Sequence, residues 1–169
     1  MTNRIFFSAI VFLCACVFFA ACNPEEPQYS PQMNFSVFEV YHADSLQTKD
    51  TLHTRFIDEE YTMDTIVPGD TVRYFVLLNA VTNQLTSFSI KTDTTNLAFS
   101  LTLNSDFDQA LDASSDVGNC LLNFKPGYAA ASFSVDYIAK KSGSPKVTLT
   151  LSSTSKFSPT TISFRQPVK

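Results

Sequence analysis

Apolar side chains alternate with polar ones, chiefly Ser and Thr, through much of the chain after residue 34, and this pattern restricts the possible folds more than any other feature. The alternation is clearest in residues 35–40, 72–78, 88–90, 99–103, 133–137, 147–151 and 162–164. Successive side chains of a β-strand point to opposite faces, so each segment would bury one face and leave the other in water. No segment has a sustained helical period, and residues 106–116 are expected to form one helical turn around Ala110 and Leu111.

Turn-forming segments separate these candidate strands. Residues 68–70 (Pro-Gly-Asp) precede the strand at 72–78, and residues 125–127 (Lys-Pro-Gly) precede the strand at 133–137. Residues 140–145 are predicted to be the loop of a hairpin. About seven to nine short strands predict an all-β antiparallel β-sandwich, because two sheets can bury their apolar faces against each other whereas one sheet cannot. A β-barrel of about eight strands is the alternative.

A resemblance to a known fold rests on residues 67–93, which contain the Pro-Gly-Asp turn and two alternating strands. This segment resembles the middle strands of immunoglobulin-like domains, and the resemblance implies that the β-sandwich is immunoglobulin-like. The chain departs from antibody domains because it has no Trp, no pair of Cys residues after residue 22 and no clear tyrosine corner.

The first 22 residues have the features of an export signal. Arg4 precedes residues 5–21, which contain no charged residue and end in two alanines immediately before Cys22. The Ala-Ala-Cys sequence resembles the lipobox of bacterial lipoprotein signal peptides. The resemblance implies that residues 1–21 are removed and that Cys22 becomes an acylated, palmitate-carrying N-terminus.

The leader divides the chain into three parts: a lipoprotein signal peptide (1–21), a proline-containing tether (22–33) and the β-sandwich domain (34–169). Two alternatives are cleavage before Cys16, which would leave five apolar residues on the mature N-terminus, and an uncleaved membrane anchor. Glu25 and Glu26 resemble the acidic signal that directs lipoproteins of Bacteroidota to the outer face of the outer membrane, and the alternative is that they belong to a solvated linker. We therefore expect a lipid-anchored protein of the cell envelope, in the outer membrane.

A three-residue pattern, Asp followed by Ser or Thr and an apolar residue, occurs at residues 44–46, 50–52, 64–66 and 70–72. It resembles the acceptor sequence for protein O-glycosylation in Bacteroidota. The resemblance implies glycosylation at Ser45, Thr51, Thr65 and Thr71. The alternative is turn chemistry, because Asp and Thr are common where the chain turns before a strand.

The sequence contains no familiar catalytic, phosphate-binding or zinc-binding motif, and we expect no catalytic residues, metal or cofactor. His42 and His53 are expected to be surface or loop residues, because two histidines without a third ligand do not define a metal site. The acidic residues 104–116 resemble a calcium loop but lack its glycine and closing glutamate, so a solvated loop is expected. Cys120 is expected to be a small buried apolar residue.

The charge balance bears on possible partners. The chain has 12 basic and 16 acidic residues, a net charge of −4, which gives no reason to expect nucleic acid as a partner. Residues 137–169 contain basic residues but no acidic one. We expect these cations to pair with carboxylates on neighbouring strands.

As a whole, the chain resembles the small uncharacterised lipoproteins of Bacteroidota that carry such domains. This resemblance implies a non-enzymatic binding or structural module that is anchored in the membrane and has an unknown protein or glycan partner. Tyr29, Tyr41, Tyr61 and Tyr128 are candidates for stacking on a ligand. The alternative is a barrel-type carrier of a small apolar ligand. A binding sandwich should show an exposed apolar patch or an unpaired sheet edge, whereas a carrier barrel should show a large internal cavity.

Overall fold

Two β-sheets make up nearly all of the regular structure in the computed structural model of the chain, which describes residues 28–57, 59–104 and 107–169. Within these residues there are twelve strands and two short 3-10 turns, Asp108–Ala110 and Val117–Asn119. The predicted all-β sandwich is confirmed, and the alternative of a closed barrel is wrong. The described residues include no helix with the length and apolarity needed to cross a membrane.

Sheet A contains six strands: β1 (Gln32–Phe35), β2 (Phe38–His42), β3 (Ser45–Leu52), β6 (Thr71–Asn79), β8 (Leu97–Thr102) and β10 (Ala130–Ala139). Their order is β3-β2-β6-β10-β8, and β1 pairs with the same side of β6 as β2 does. All pairs in this sheet are antiparallel. The long strands β6 and β10 therefore form the centre of sheet A.

Sheet B also contains six strands: β4 (Thr54–Ile57), β5 (Glu60–Met63), β7 (Leu85–Lys91), β9 (Leu121–Asn123), β11 (Lys146–Ser153) and β12 (Thr160–Arg165). Their order is β4-β5-β12-β11-β7-β9. The β5–β12 pair is parallel and joins only Tyr61 to Phe164 and Thr62 to Arg165. The hairpin formed by β4 and β5 is thus attached to the sandwich by a short ladder.

The core lies between the sheets and follows the alternation seen in the sequence. In β6 the even-numbered residues from 72 to 78 are buried, and in β10 the odd-numbered residues from 131 to 139 are buried. The ring centroids of Phe88 in sheet B and Phe133 in sheet A lie 5.3 Å apart, in a T-shaped contact across the interface. Interdigitated aromatic and aliphatic side chains fill the two-layer core.

Two predictions about the connections need correction. The expected hairpin loop at residues 140–145 is wrong, because it joins β10 of sheet A to β11 of sheet B; equal alternation on both sides does not reveal which sheet a strand enters. The expected single strand at 35–40 is interrupted at residues 36–37, where Ser36 N–H donates to Phe75 O (2.9 Å) and Ser36 Oγ accepts from Phe75 N–H (2.8 Å).

The number of strands also exceeds the seven to nine expected. The additional strands are short or exposed on both faces: all four residues of β4 are exposed, and β9 has only three residues. Such strands bury no regular apolar stripe, so they leave no alternation in the sequence. A 3-10 turn does occur at Asp108–Ala110, close to the expected helical turn.

Candidate functional site

An apolar groove lies along one open side of the sandwich, where the edges of the two sheets separate. Its volume is about 330 Å³. We call it the aromatic groove, and its main apolar side chains are Met33, Phe35, Phe38, Tyr61, Met63 and Phe164. The first three come from sheet A and the last three from sheet B. The groove is therefore formed where the two apolar faces meet and are not fully closed.

The groove is open because, among the described residues, no strand pairs with the outer side of β1. Strand β3 pairs with β2 only as far as Leu52, which lies opposite Phe38, and the chain then continues into β4 of sheet B. In the part of the chain that the structure describes, β1 pairs with β6 alone. One long side of residues 32–35 consequently has no strand against it.

The pairing register indicates which main-chain groups face this open side. Ser36 is bonded to Phe75 across the ladder, and bonding residues alternate along an antiparallel strand. The main-chain groups of Met33 and Phe35 therefore point away from β6. The carbonyl of Pro31 points the same way and accepts a hydrogen bond from Thr160 Oγ1 (2.6 Å) in sheet B.

The β4–β5 hairpin borders the groove and exposes large apolar side chains. Phe56 is 66% exposed and Tyr61 is 51% exposed, and their ring centroids are 5.1 Å apart at an interplanar angle of 60°. Ile57, at the end of β4, is also exposed. An exposed apolar patch next to an apolar groove is typical of an interaction surface.

Glu60 attaches this hairpin to the rest of sheet B. Its carboxylate accepts hydrogen bonds from Lys146 Nζ (2.9 Å) on β11 and from Arg165 Nε on β12. Lys146, and then Arg165, hold the pKa of Glu60 below its ordinary value of 4.5. These ion pairs confirm that C-terminal cations pair with carboxylates across strands, as expected for Lys146 and Arg165.

We expect acid to loosen the hairpin through Glu60. Because the folded pKa is lowered, the contribution of the ion pairs is fully present above about pH 4.5 and is lost as the pH falls through the folded value. Amide hydrogen exchange of residues 54–63, corrected for intrinsic rates, should therefore accelerate in acid. Glu60→Gln should give faster exchange already at neutral pH, and Glu39→Gln, which alters a pair with Lys49 in sheet A, should not. Unchanged exchange in Glu60→Gln would contradict this attachment.

The predicted lipidation site, Cys22, lies outside the described residues, as do Cys16, Glu25 and Glu26. Strand β1 begins at Gln32, two residues before the expected start of the domain.

The predicted glycosylation residues differ in accessibility. Thr51 on β3 and Thr65 after β5 are exposed, and Thr71 at the start of β6 is half-buried. Ser45 lies in β3, but the structure does not describe the exposure of its side chain. Exposed hydroxyls are accessible to a modifying enzyme, so Thr51 and Thr65 are the more accessible of these predicted sites.

Two aspartates of the same motifs accept hydrogen bonds from main-chain N–H groups. The carboxylate of Asp70 is buried and accepts hydrogen bonds from the N–H groups of Val67 (3.0 Å) and Ala43 (3.3 Å). The carboxylate of Asp64 accepts from the N–H of His53 (2.9 Å), which lowers the pKa of Asp64 more than any other contact. Turn chemistry thus accounts for Asp70, whereas Asp64 pairs with His53 across the open end of the β4–β5 hairpin.

Each histidine contacts a carboxylate: His42 Nδ1 lies 3.3 Å from Asp70 Oδ2, and His53 Nδ1 lies 3.1 Å from Asp64 Oδ2. Neither histidine lines the aromatic groove. Residues 28–57, 59–104 and 107–169 contain no group of three or more His, Cys, Asp or Glu side chains that could hold a metal ion.

The acidic residues of the loop after β8 also bond within turns. Asp112 accepts hydrogen bonds from Ser114 N–H (2.9 Å) and Oγ (2.7 Å), and Asp116 accepts from Asn119 N–H (3.1 Å) and Nδ2 (2.6 Å). These contacts lower the pKa of both carboxyl groups. The carboxylates are therefore occupied by local donors.

Cys120 is buried, as expected, and burial raises the pKa of its thiol. Among the candidate tyrosines, Tyr61 and Tyr29 are about half exposed, whereas Tyr41 and Tyr128 are partly buried. Tyr41 donates a hydrogen bond to Glu39 (2.9 Å). The guanidinium carbon of Arg73 lies over the ring of Tyr41, 5.7 Å from the ring centroid. Tyr61 is therefore the candidate tyrosine that lines the aromatic groove.

Comparisons with other proteins place few constraints on this site. No family model of protein sequences and no curated protein matches the chain. Among solved structures, the chain is similar to a DUF4466 family protein from Parabacteroides merdae ATCC 43184, with 10% identity and a TM-score of 0.41 over 82% of this chain. The match covers 44% of that protein, so this chain spans less than half its length. A similarity of this size establishes neither a shared fold nor a shared function.

Proposed function

We propose that the protein is a non-enzymatic binding module of the cell envelope that takes an extended apolar segment of a partner protein along β1. In this proposal residues 1–21 are removed, Cys22 carries the lipid anchor in the outer membrane, and the sandwich is immunoglobulin-like. The crossing of β6 and β7 into opposite sheets supports the last point, because middle strands of immunoglobulin domains cross in this way. The exposed Thr51 and Thr65 are the positions that would carry glycan most readily.

The observation that carries the proposal is the side of β1, next to the aromatic groove, that pairs with none of the strands the structure describes. An extended peptide can add a strand to a free sheet edge, where main-chain hydrogen bonds supply affinity and pockets for alternate side chains supply specificity. Met33 and Phe35 direct main-chain groups to the free side, and the groove offers apolar contacts beside them. A flat, unprotected edge would otherwise invite pairing with any chain, so a dedicated occupant also explains its presence.

The exposed rings favour a peptide over a sugar as the occupant. A sugar ring stacks best on a flat aromatic face, whereas Phe56 and Tyr61 meet at 60° and contact each other. The groove presents mainly carbon and sulfur atoms, from side chains such as Phe35, Phe38 and Met63. An apolar peptide side chain matches such a surface, because burying apolar area is favourable.

A second candidate is a small apolar molecule bound in the same groove. A volume of about 330 Å³ lies at the lower end of the range for small-molecule sites, roughly 300–1,000 Å³. This function would use the apolar side chains but would not need the main-chain edge of β1. The two candidates can therefore be separated by comparing two variants that change the same groove side chain, of which only one also removes a main-chain N–H from the edge.

Met33→Pro is expected to abolish partner binding, because proline removes the outward N–H of β1 but is tolerated on an edge strand. Met33→Val also changes the side chain but retains the N–H, so this variant should still bind the partner. A photo-crosslinking amino acid at Phe56 of the full chain in intact cells, followed by mass spectrometry, would identify the attached peptide. Equal crosslinking by both variants, or a crosslinked segment that is charged or helical, would contradict the peptide proposal.

The anchor requires a separate experiment. Labelling with a palmitate analogue should be lost in Cys22→Ala and kept in Cys16→Ala. The reverse result would move the anchor to Cys16, and labelling of neither residue would favour an uncleaved membrane segment.

A further inference from the structure

The opposite open side of the sandwich contains a second cavity with a different chemistry. It has a volume of about 510 Å³ and lies between the end of β7, the start of β8 and the 3-10 turn Val117–Asn119. We call it the lysine pocket, because Lys91 and Lys140 both line it. Strand β8 is an edge strand of sheet A, and β9 is the matching edge of sheet B.

The lining of the lysine pocket carries positive charge without a carboxylate. Among the described residues, neither Lys91 nor Lys140 forms an ion pair, and Lys140 Nζ has only a long contact of 3.5 Å with Thr94 O. The nearby Asp93 accepts hydrogen bonds from Thr95 N–H (2.9 Å) and Oγ1 (2.7 Å) instead. Two ammonium groups at one cavity whose lining contains no carboxylate favour an anionic ligand.

A buried hydroxyl in the same lining lacks a hydrogen-bond partner. Thr92 Oγ1 is inaccessible to solvent and bonds to no described group. An unsatisfied buried hydroxyl lowers the stability of the fold. Because solvent does not reach Thr92 Oγ1, this hydroxyl belongs to the wall behind the lysine pocket and is not a contact for a ligand.

The remaining lining is apolar. Ile90, Leu97 and Cys120 are buried side chains at the cavity, and the ring of Phe99 is partly buried beside them. Because burial raises the pKa of Cys120, its thiol is neutral at neutral pH and behaves as an apolar group. One part of the cavity therefore suits a charged oxygen group, and the other suits a hydrocarbon body.

We propose that the lysine pocket binds a small organic carboxylate with an apolar body. Lys91 and Lys140 would hold the carboxylate through charge-assisted hydrogen bonds. Ile90, Leu97 and Phe99 would contact the hydrocarbon part. This site is distinct from the aromatic groove and does not depend on the function proposed for it.

Isothermal titration calorimetry of the full chain with three probes tests separately whether the charge and the apolar body of the ligand contribute to binding. 4-Phenylbutyrate has both the anion and the apolar body, 4-phenylbutyramide lacks the charge, and inorganic phosphate lacks the apolar body. We expect the carboxylate to bind roughly tenfold or more tightly than the amide, because hydrogen bonds to charged groups are stronger than neutral ones. Phosphate should bind more weakly than 4-phenylbutyrate.

Variants then locate the binding site. Lys91→Met and Lys140→Met should each weaken 4-phenylbutyrate binding roughly tenfold. Lys141→Met removes the same charge from the neighbouring residue, which does not line the pocket, and should leave binding nearly unchanged. Thr92→Val should leave 4-phenylbutyrate binding nearly unchanged, and in the free protein it should raise the melting temperature because an unsatisfied buried hydroxyl is removed.

Several results would overturn the proposal. These are equal affinities for the carboxylate and the amide, the same loss in Lys141→Met as in Lys140→Met, or no binding of 4-phenylbutyrate. Circular dichroism spectra of the variants would show that each retains the β-sandwich, so a lost affinity is not caused by unfolding. A failure of crosslinking at Phe56 would leave this result unaffected, because the two sites lie on opposite sides of the sandwich.

Discussion

Replacing Asp70 with Ala is expected to lower the free energy of unfolding by about 1–3 kcal/mol. The side chain is 1% exposed, and its carboxylate accepts hydrogen bonds from the N–H groups of Val67 and Ala43. Ala would leave both donors without a partner at a site from which the rest of the fold excludes water. The carboxylate also lies 3.3 Å from His42 Nδ1, so a third contact would be lost.

Asp50→Ala provides the matched control, since Asp50 belongs to the same Asp-Thr-apolar pattern. Asp50 is exposed and accepts one hydrogen bond, from Thr51 N–H at 2.9 Å. Its replacement should change the free energy of unfolding by no more than about 0.5 kcal/mol. Asp70→Asn keeps one oxygen acceptor and should fall between the two. Urea denaturation of the three variants would measure this order, and equal losses for Asp50→Ala and Asp70→Ala would contradict it.

This pair of aspartates illustrates how far the sequence determines the structure. Both residues precede a Thr and an apolar residue, and the pattern alone cannot tell the buried carboxylate from the exposed one. The difference arises because the turn at residues 67–70 packs against Ala43 in the turn between β2 and β3. Local patterns report local conformation, whereas burial depends on contacts between distant segments.

The central strands could be predicted because they obey one rule throughout. In β6, β10 and β11 every second residue is buried between the sheets, so the sequence alternates and the fold class follows. Strand β4 is exposed on both faces and gives no such signal. A run of exposed apolar residues, such as Phe56 and Ile57 in a polar segment, was the available indication of an interaction surface.

The two cavities could not be predicted for a different reason. The aromatic groove combines Met33 with Phe164, and the lysine pocket combines Lys91 with Lys140, so each brings together residues that are far apart in the chain. The surplus of cations after residue 137 was visible, and cross-strand pairing accounts for Lys146 and Arg165. Only the packing shows that Lys140 instead lines a cavity whose Thr92 hydroxyl has no partner.

Replacing Tyr137 with Phe is expected to lower the free energy of unfolding by about 1–3 kcal/mol, whereas Tyr74→Phe should leave it unchanged or raise it. The two tyrosines face the core from neighbouring strands of sheet A, with ring centroids 6.3 Å apart. Both are at most 1% exposed, and each substitution removes only a hydroxyl. The pair therefore separates the effect of a hydrogen bond from that of ring packing.

The hydrogen bonds of the two hydroxyls explain the opposite expectations. Tyr137 donates to Gln166 Oε1 at 2.6 Å, and the Nε2 of Gln166 donates to Asp64 O (2.9 Å) and Pro167 O (3.1 Å). Gln166 is fully buried, so Tyr137→Phe would leave its oxygen without a donor. The hydroxyl of Tyr74 has no partner among the described residues, and its removal relieves an unfavourable burial.

The difference in the free energy of unfolding between Tyr137→Phe and Tyr74→Phe should not depend on pH in the neutral and mildly alkaline range. Burial raises the pKa of both phenols above the ordinary value of 10, so each remains protonated and uncharged in the folded protein. Urea denaturation at about pH 6 and pH 8 should therefore give the same ranking, with Tyr29→Phe, an exposed position, close to the parent. Equal losses for Tyr74→Phe and Tyr137→Phe would show that ring packing, and not the bond to Gln166, sets the stability of this part of the core.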